Sequence, residues 1–252
     1  MSPLPATVTA AVRTRVRAAA VRRRIPDPVE AERRTLLLRL MSLLLQYPDA
    51  EIVAARPAVT AAVEALPPSP TATELAAFTA WFTTQEPDTL EQLYVETFDL
   101  RRRSSLYLTY YLHGDTRRRG MALHTLAQTY RAGGWEITDG ELPDHLPVAL
   151  EFAALAGPGA GEAPLRRHRR GLQLIHRALT DAESPYRHLL TALLTLLPPP
   201  TAADGAAVAE LAAQGPPAED VGLDPYAGGL FAPPGALTPP EPIPPTTDKE
   251  HR

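Results

Sequence analysis

The residues best suited to chemistry concentrate in one polar island, HGDTRRRG at His113–Gly120, set between two apolar stretches. His113 and Asp115 are the residue types of a hydrolytic or metal-binding pair, and Arg117, Arg118 and Arg119 could direct charge at a bound group. Just upstream, Tyr94, Phe98, Tyr107, Tyr110 and Tyr111 fall within eighteen positions. Aromatic rings beside a charged, glycine-bounded turn describe a surface that grips a partner, because rings supply area and arginines supply directed charge.

Other chemistries are poorly provided for. The chain has no cysteine, which excludes disulfides, thiolate metal sites and a cysteine nucleophile. Its one lysine is Lys249, in a tail expected to be disordered, so a Schiff-base or P-loop lysine is excluded from the folded part. None of the seven histidines pairs with another at the i,i+3 or i,i+4 spacing of helical metal ligands. His176 lies beside an apolar stripe and reads as a core residue, while His168 sits among Arg166, Arg167, Arg169 and Arg170. Ser104 and Ser105 follow three arginines without an evident base, in what reads as a solvated loop. The glycines at 157, 159 and 161 follow no strand and read as a linker between helices. Two alternatives to a binding module stay open: a metal-dependent hydrolase using His113 and Asp115, and a helical DNA-binding regulator with a basic arm.

Charge is unevenly distributed around a net value of −4. The first 34 residues carry eight arginines against three acids, whereas residues 201–252 carry eight acids against Lys249 and Arg252. No apolar run approaches the ~20 residues that span a bilayer. Arg22-Arg23-Arg24 is followed by Ile25-Pro26-Asp27-Pro28 where an export signal would need an apolar stretch. A cytoplasmic protein without stable membrane association or nucleic-acid partner is expected.

The island must be held by helices. Leu36, Leu37, Leu40, Leu44 and Tyr47 share one face of a first helix, which Pro48 stops. A second is expected over about 50–66, and Leu75, Phe78 and Phe82 mark a third. Asp88 and Glu91 are spaced as a capping box ahead of Leu90, Leu93, Tyr94 and Phe98. Leu106–Leu112 reads as a short apolar helix, and Leu123, Leu126, Ala127 and Tyr130 as a longer one. Asp144 is placed to cap a helix over 145–156, and Pro164 and Pro185 to open two more. No stretch shows a strand's two-residue rhythm, so the fold class is all-α, with eight or nine helices in residues 30–197. A basic, flexible arm (residues 1–29) precedes this domain, and a Pro/Ala/acidic, largely disordered tail (residues 198–252) follows it.

Asp115 or Thr116 would cap the helix after the island. Its three arginines then sit at the positive end of the helix dipole, an unfavourable place unless Arg117 or Arg119 folds back on carboxylates. Asp99, Asp115, Glu141 and Asp144 are the candidates. Two uses remain open, a salt-bridge scaffold and direct contact with a partner. A partner groove would run between the helix ending near Leu100 and the one starting near Arg117.

These residues carry a resemblance. YVETFDLRRRSSLYLTYYLHGDTRRRGMAL (Tyr94–Leu123) resembles the signature of the NarJ family of redox-enzyme maturation chaperones, and GELPDHLPVALEFAA (Gly140–Ala154) its second motif. The resemblance extends over about residues 30–200 and implies an all-helical chaperone, with no catalytic residues, metal site or cofactor of its own. The implied client is the apo catalytic (alpha) subunit of respiratory nitrate reductase, bound mainly through its N-terminal peptide. The chaperone would hold that subunit competent for molybdenum cofactor insertion and membrane assembly. Proteins that deliver the molybdenum cofactor are further candidate partners. The implied client-binding positions are Tyr94, Phe98, Tyr107, Tyr111, His113 and Asp115. With them go Thr116, Arg117, Arg119, Glu141 and Asp144. Asp99, Gly114, Gly120, Leu142 and Pro143 carry over as structural positions.

Overall fold

The computed structural model describes the backbone of Val16–Ala18 and residues 28–138, 140–199, 208–210 and 213. The fold is helical, as expected. Eleven α-helices run through residues 28–199, starting with α1 (Pro28–Leu44), α2 (Ala50–Ala54), α3 (Arg56–Glu64), α4 (Pro70–Thr84) and α5 (Pro87–Tyr94). A π-helical turn (Val95–Asp99) and a 3-10 turn (Arg102–Ser104) lead to α6 (Tyr110–His113) and α7 (Arg117–Ala132). The bundle closes with α8 (Leu146–Ala156), α9 (Ala163–Arg167), α10 (Arg169–Asp181) and α11 (Arg187–Leu196). The acidic tail lies outside the described residues, apart from a few positions between 208 and 213.

Proline sits at the first or second position of α3, α4, α5, α8 and α9, where its fixed φ suits a helix and its missing N–H is not needed. This is why the helix expected over about 50–66 is divided: Pro57 restarts the chain as α3 after α2 has closed on Ala55. Asp49 caps α2 by accepting from Glu51 and Ile52, and Ser69 caps α4 through Ala72. The capping box at Asp88 and Glu91 does not form. Glu86 is the N-cap of α5 without a side-chain bond, and Glu91 accepts from the Tyr47 hydroxyl at 2.9 Å. The last helix starts at Arg187, two residues beyond Pro185.

The core is organised around α1 and α8, which pack along each other. Every residue from Leu146 to Ala154 is buried, so α8 is covered on all sides. In α1, Leu38 and Leu43 are buried beside the expected Leu37, Leu40 and Leu44, while Tyr47 lies beyond the helix and is 41% exposed. α4 packs against α11, and α10 against α11. At that junction Phe78 stacks on Phe82 and packs at a tilt against Tyr186. Glu162, 4% exposed, is held by Arg34 of α1 and Arg166 of α9, and Arg34 also donates to the Leu196 carbonyl. Three helices are thereby tied at one buried carboxylate.

Two short strands depart from the expectation of none. Val16–Ala18 (β1) pairs antiparallel with Trp135–Ile137 (β2), in the register Val16↔Ile137, Arg17↔Glu136, Ala18↔Trp135. β1 falls within the segment expected to be a flexible arm. β2 borders a second, smaller core of Tyr130, Val148 and Phe152. No helix among the described residues is long and apolar enough to cross a membrane.

Candidate functional site

The π turn at Val95–Asp99 extends α5 by one wide turn, closed by Leu100 N–H on the Val95 carbonyl at 3.0 Å. The extra residue sends Phe98 inward and leaves Asp99 at the surface. Phe98 is 4% exposed and lies edge-on to Tyr94 and Tyr186. The following loop is fastened from within. Ser104 is buried and donates to the Thr97 and Arg101 carbonyls, so it is not the solvated loop residue expected.

Leu106, Tyr107 and Leu108 are not helical: Tyr107 forms a β-bridge between a bend at Leu106 and a turn that begins at Leu108. The Leu108 N–H donates to the Asp144 carbonyl at 2.9 Å, and the Leu146 N–H to the Leu106 carbonyl at 2.8 Å. This antiparallel bridge pairs Tyr107 with His145. Leu106 and Leu108 point into the core while Tyr107 stays half-buried, the alternation of a strand in three residues. The bridge brings the two sequence motifs side by side.

At the bridge lies Asp144, fully buried. It does not cap α8, whose N-cap is His145. Its Oδ2 accepts the backbone N–H and the hydroxyl of Thr109, with Arg119 Nη2 at 3.7 Å. Its Oδ1 has no hydrogen-bond partner among the described residues. Arg119 Nη1 binds Asp115 at 3.0 Å, and the guanidinium lies 5.6 Å from the Tyr107 ring centroid. Tyr107 in turn stacks on His145, and His145 Nδ1 is 3.2 Å from Glu141. Arg119 therefore folds back, spanning an exposed and a buried carboxylate.

The turn itself depends on Gly114, whose φ of +56 is in the range that glycine tolerates best. Thr116 is the N-cap of α7, yet its hydroxyl donates to the His113 carbonyl at 2.7 Å and makes no capping bond. Gly120 is exposed in α7, and an added Cβ would meet nothing within 4 Å, so it serves no close helix packing.

Phe98, Asp99, Arg102, Ser105, Tyr107, Tyr110, Asp115 and Arg119 line an open recess of about 140 Å³. It falls where the groove was expected, but its size suits a side chain and not a whole helix. Of the expected client-binding residues, Phe98, Tyr107, Asp115 and Arg119 line it. Tyr94, Tyr111 and Asp144 do not reach the surface. The Tyr94 hydroxyl donates to the Leu45 carbonyl at 3.1 Å, and that of Tyr111 to the Ser105 and Arg103 carbonyls at 2.8 and 3.1 Å. Burial pushes the Tyr111 pKa far up, so this hydroxyl stays protonated and donating. Arg117 is exposed at the first position of α7, and His113 and Glu141 are half-buried. Asp99, expected to be structural, is exposed and lines the recess, and Leu142 is 40% exposed. Pro143 does hold structure, its carbonyl accepting from the Tyr130 hydroxyl at 2.7 Å. Arg102, Ser105 and Tyr110 escaped the sequence reading as site residues, although Tyr110 belongs to the tyrosine cluster.

Residues 64–192, half of the chain, match the family model described as nitrate reductase delta subunit. The chain belongs to that family. Over 152 residues it is 40% identical to the nitrate reductase-like protein NarX of Mycobacterium tuberculosis, an overlap of 60% of this chain and 23% of that protein. It is 33% identical over 164 residues to the probable nitrate reductase molybdenum cofactor assembly chaperone NarJ of Bacillus subtilis, covering 65% of this chain and 89% of the relative. With the nitrate reductase molybdenum cofactor assembly chaperone NarJ of Escherichia coli it shares 35% identity over 175 residues, 69% of this chain and 73% of the relative. The chain thus spans most of the NarJ chaperones but about a quarter of NarX. The family match takes in the recess, the bridge and the Asp144 anchor.

Proposed function

We propose that this chain is a non-catalytic, system-specific chaperone of nitrate reductase. In this reading it works in the cytoplasm, binds the apo catalytic subunit through that subunit's N-terminal segment, and holds it open for molybdenum cofactor insertion. The supporting observation is the recess itself, lined by the first motif and held from beneath by the second. Its rings offer contact area and its charges a means of choosing the client, and a shallow, half-polar site gives the reversible grip that assembly requires.

The hydrolase alternative would need His113 and Asp115 to act together. Asp115 is ion-paired to Arg119, and among the described residues no group of three or more His, Asp or Glu could hold a metal ion. The basic arm that motivates the DNA-binding alternative lies almost wholly outside the described residues.

The reading is tested by titrating the purified chain with the apo catalytic subunit and with a peptide of its N-terminal segment. A saturable 1:1 complex with both is expected. Binding to the subunit but not the peptide would move the contact elsewhere on the client, and binding to neither would reject the chaperone reading.

A further inference from the structure

The charges lining the recess balance in number, Asp99 and Asp115 against Arg102 and Arg119, but their pairing is uneven. Arg119 spends its donors on Asp115, on Thr109 and toward Asp144. Arg102, 81% exposed, reaches Asp115 at 3.8 Å. The Asp99 carboxylate has no hydrogen bond or ion pair with any described residue, although it lines the same recess. The neighbouring Tyr107 hydroxyl senses the carboxylates. Its pKa is raised first by burial and then by Glu141, Asp144 and Asp99, against which Arg119 alone pulls down. A recess with one unpaired carboxylate and aromatic walls is complementary to a cation on a long apolar stem. Both lining arginines are directed at Asp115, Arg119 at 3.0 Å and Arg102 at 3.8 Å, which leaves Asp99 as the lining charge without a partner.

We infer that the recess admits one basic side chain of the client, an arginine or lysine, with Asp99 as its counter-ion and Tyr107 and Tyr110 against its stem. This rests on the chaperone reading and adds the chemistry by which the client would be chosen. Asp99 is then a specificity-determining residue, a role distinct from the structural one implied by the motif. Because Asp99 is exposed and supports no other group, its charge can be removed without disturbing the fold.

The test is a double-mutant cycle. One axis is Asp99→Asn in the full chain. The other is the client's N-terminal peptide with each arginine or lysine replaced in turn by glutamine. Asp99→Asn should weaken the unmodified peptide about tenfold, with a similar loss from one of the glutamine peptides. The two losses together should not exceed either alone, and the wild-type affinity should fall as salt is raised. An unchanged melting temperature for Asp99→Asn assigns the loss to contact. If Asp99→Asn binds like wild type while Tyr107→Ala does not, the recess is used but not for a cation, and the inference fails with the chaperone reading intact. Sensitivity to replacement of the peptide's acids, with Arg102→Gln as the damaging variant, would overturn it in favour of an anion. No binding of any peptide by the wild-type chain would remove the N-terminal-segment reading and this inference with it.

Discussion

The α1–α8 bundle and the junction between residues 95 and 120 are built from opposite materials. The bundle is apolar in depth, with Met41, Leu43, Val148, Leu150 and Phe152 all inaccessible to solvent. Its stability comes from area removed from water and from packing, which depend little on any single direction. At the junction, short elements are held by directed bonds: Ser104 to Thr97, Tyr111 to Ser105, Thr109 and Arg119 to Asp144. Such bonds leave the outer sides of Tyr107, Asp99 and Arg102 available while fixing the backbone beneath them. The first region makes a fold, and the second makes a surface whose shape is fixed by the chain's own bonds.

Variants in the two regions should separate these roles. The largest effect is expected in the bundle. Phe78→Ala empties a site where three other rings meet, and should cost about 4 kcal/mol in urea denaturation. A loss under about 1 kcal/mol would mean that the core is not packed as described. Next comes Asp144→Ala, which strips Thr109 of its acceptor and Arg119 of its inner partner. It should cost about 3 kcal/mol and also impair client binding, because Arg119 and Tyr107 lose their support. Intact binding in a destabilised Asp144→Ala chain would uncouple the anchor from the surface.

Gly120→Ala should act in the other direction. The helix has room for the added methyl, so about 1 kcal/mol of stabilisation is expected in the same measurement. If affinity for the apo catalytic subunit falls at the same time, Gly120 is a place of close client approach. The smallest effect concerns acid. His168 is buried with Nδ1 at 2.9 Å from the Pro164 carbonyl. Burial lowers its pKa below 6.5, opposed by the Pro164 bond and Asp144 and reinforced by Arg167 and His113. A depressed folded value favours the neutral ring, so this contribution is whole above pH 6.5 and is lost as pH falls toward the folded value. His176 is shifted the same way by burial. The melting temperature should therefore drop between pH 7 and about 5, and less steeply in His168→Gln. Identical slopes would remove His168 from the explanation.

Apolar spacing made the bundle legible, because which residues turn inward is a local property of a helix: Leu75, Phe78 and Phe82 are buried as their period requires. The junction was only half legible. The Leu106–Leu108 alternation is too short to stand out from a helical apolar run, so the bridge to Asp144–Leu146 was missed. Asp144 looked like a cap because a carboxylate before an apolar helix usually is one, and nothing local announces Thr109 as its partner. The buried hydroxyls of Tyr94 and Tyr111 have the same origin, since the carbonyls that receive them are set by tertiary folding. The arginine–carboxylate fold-back was foreseeable from the helix dipole, whereas the two carboxylates that Arg119 spans needed the geometry.

The central claim is that the junction and not the bundle meets the client. Amide hydrogen exchange of the full chain, alone and with the apo catalytic subunit, tests this without altering a residue. The account predicts added protection over residues 98–119, with α3 and α4 unchanged. Protection confined to α3 and α4, with residues 98–119 exchanging as in the free chain, would contradict it.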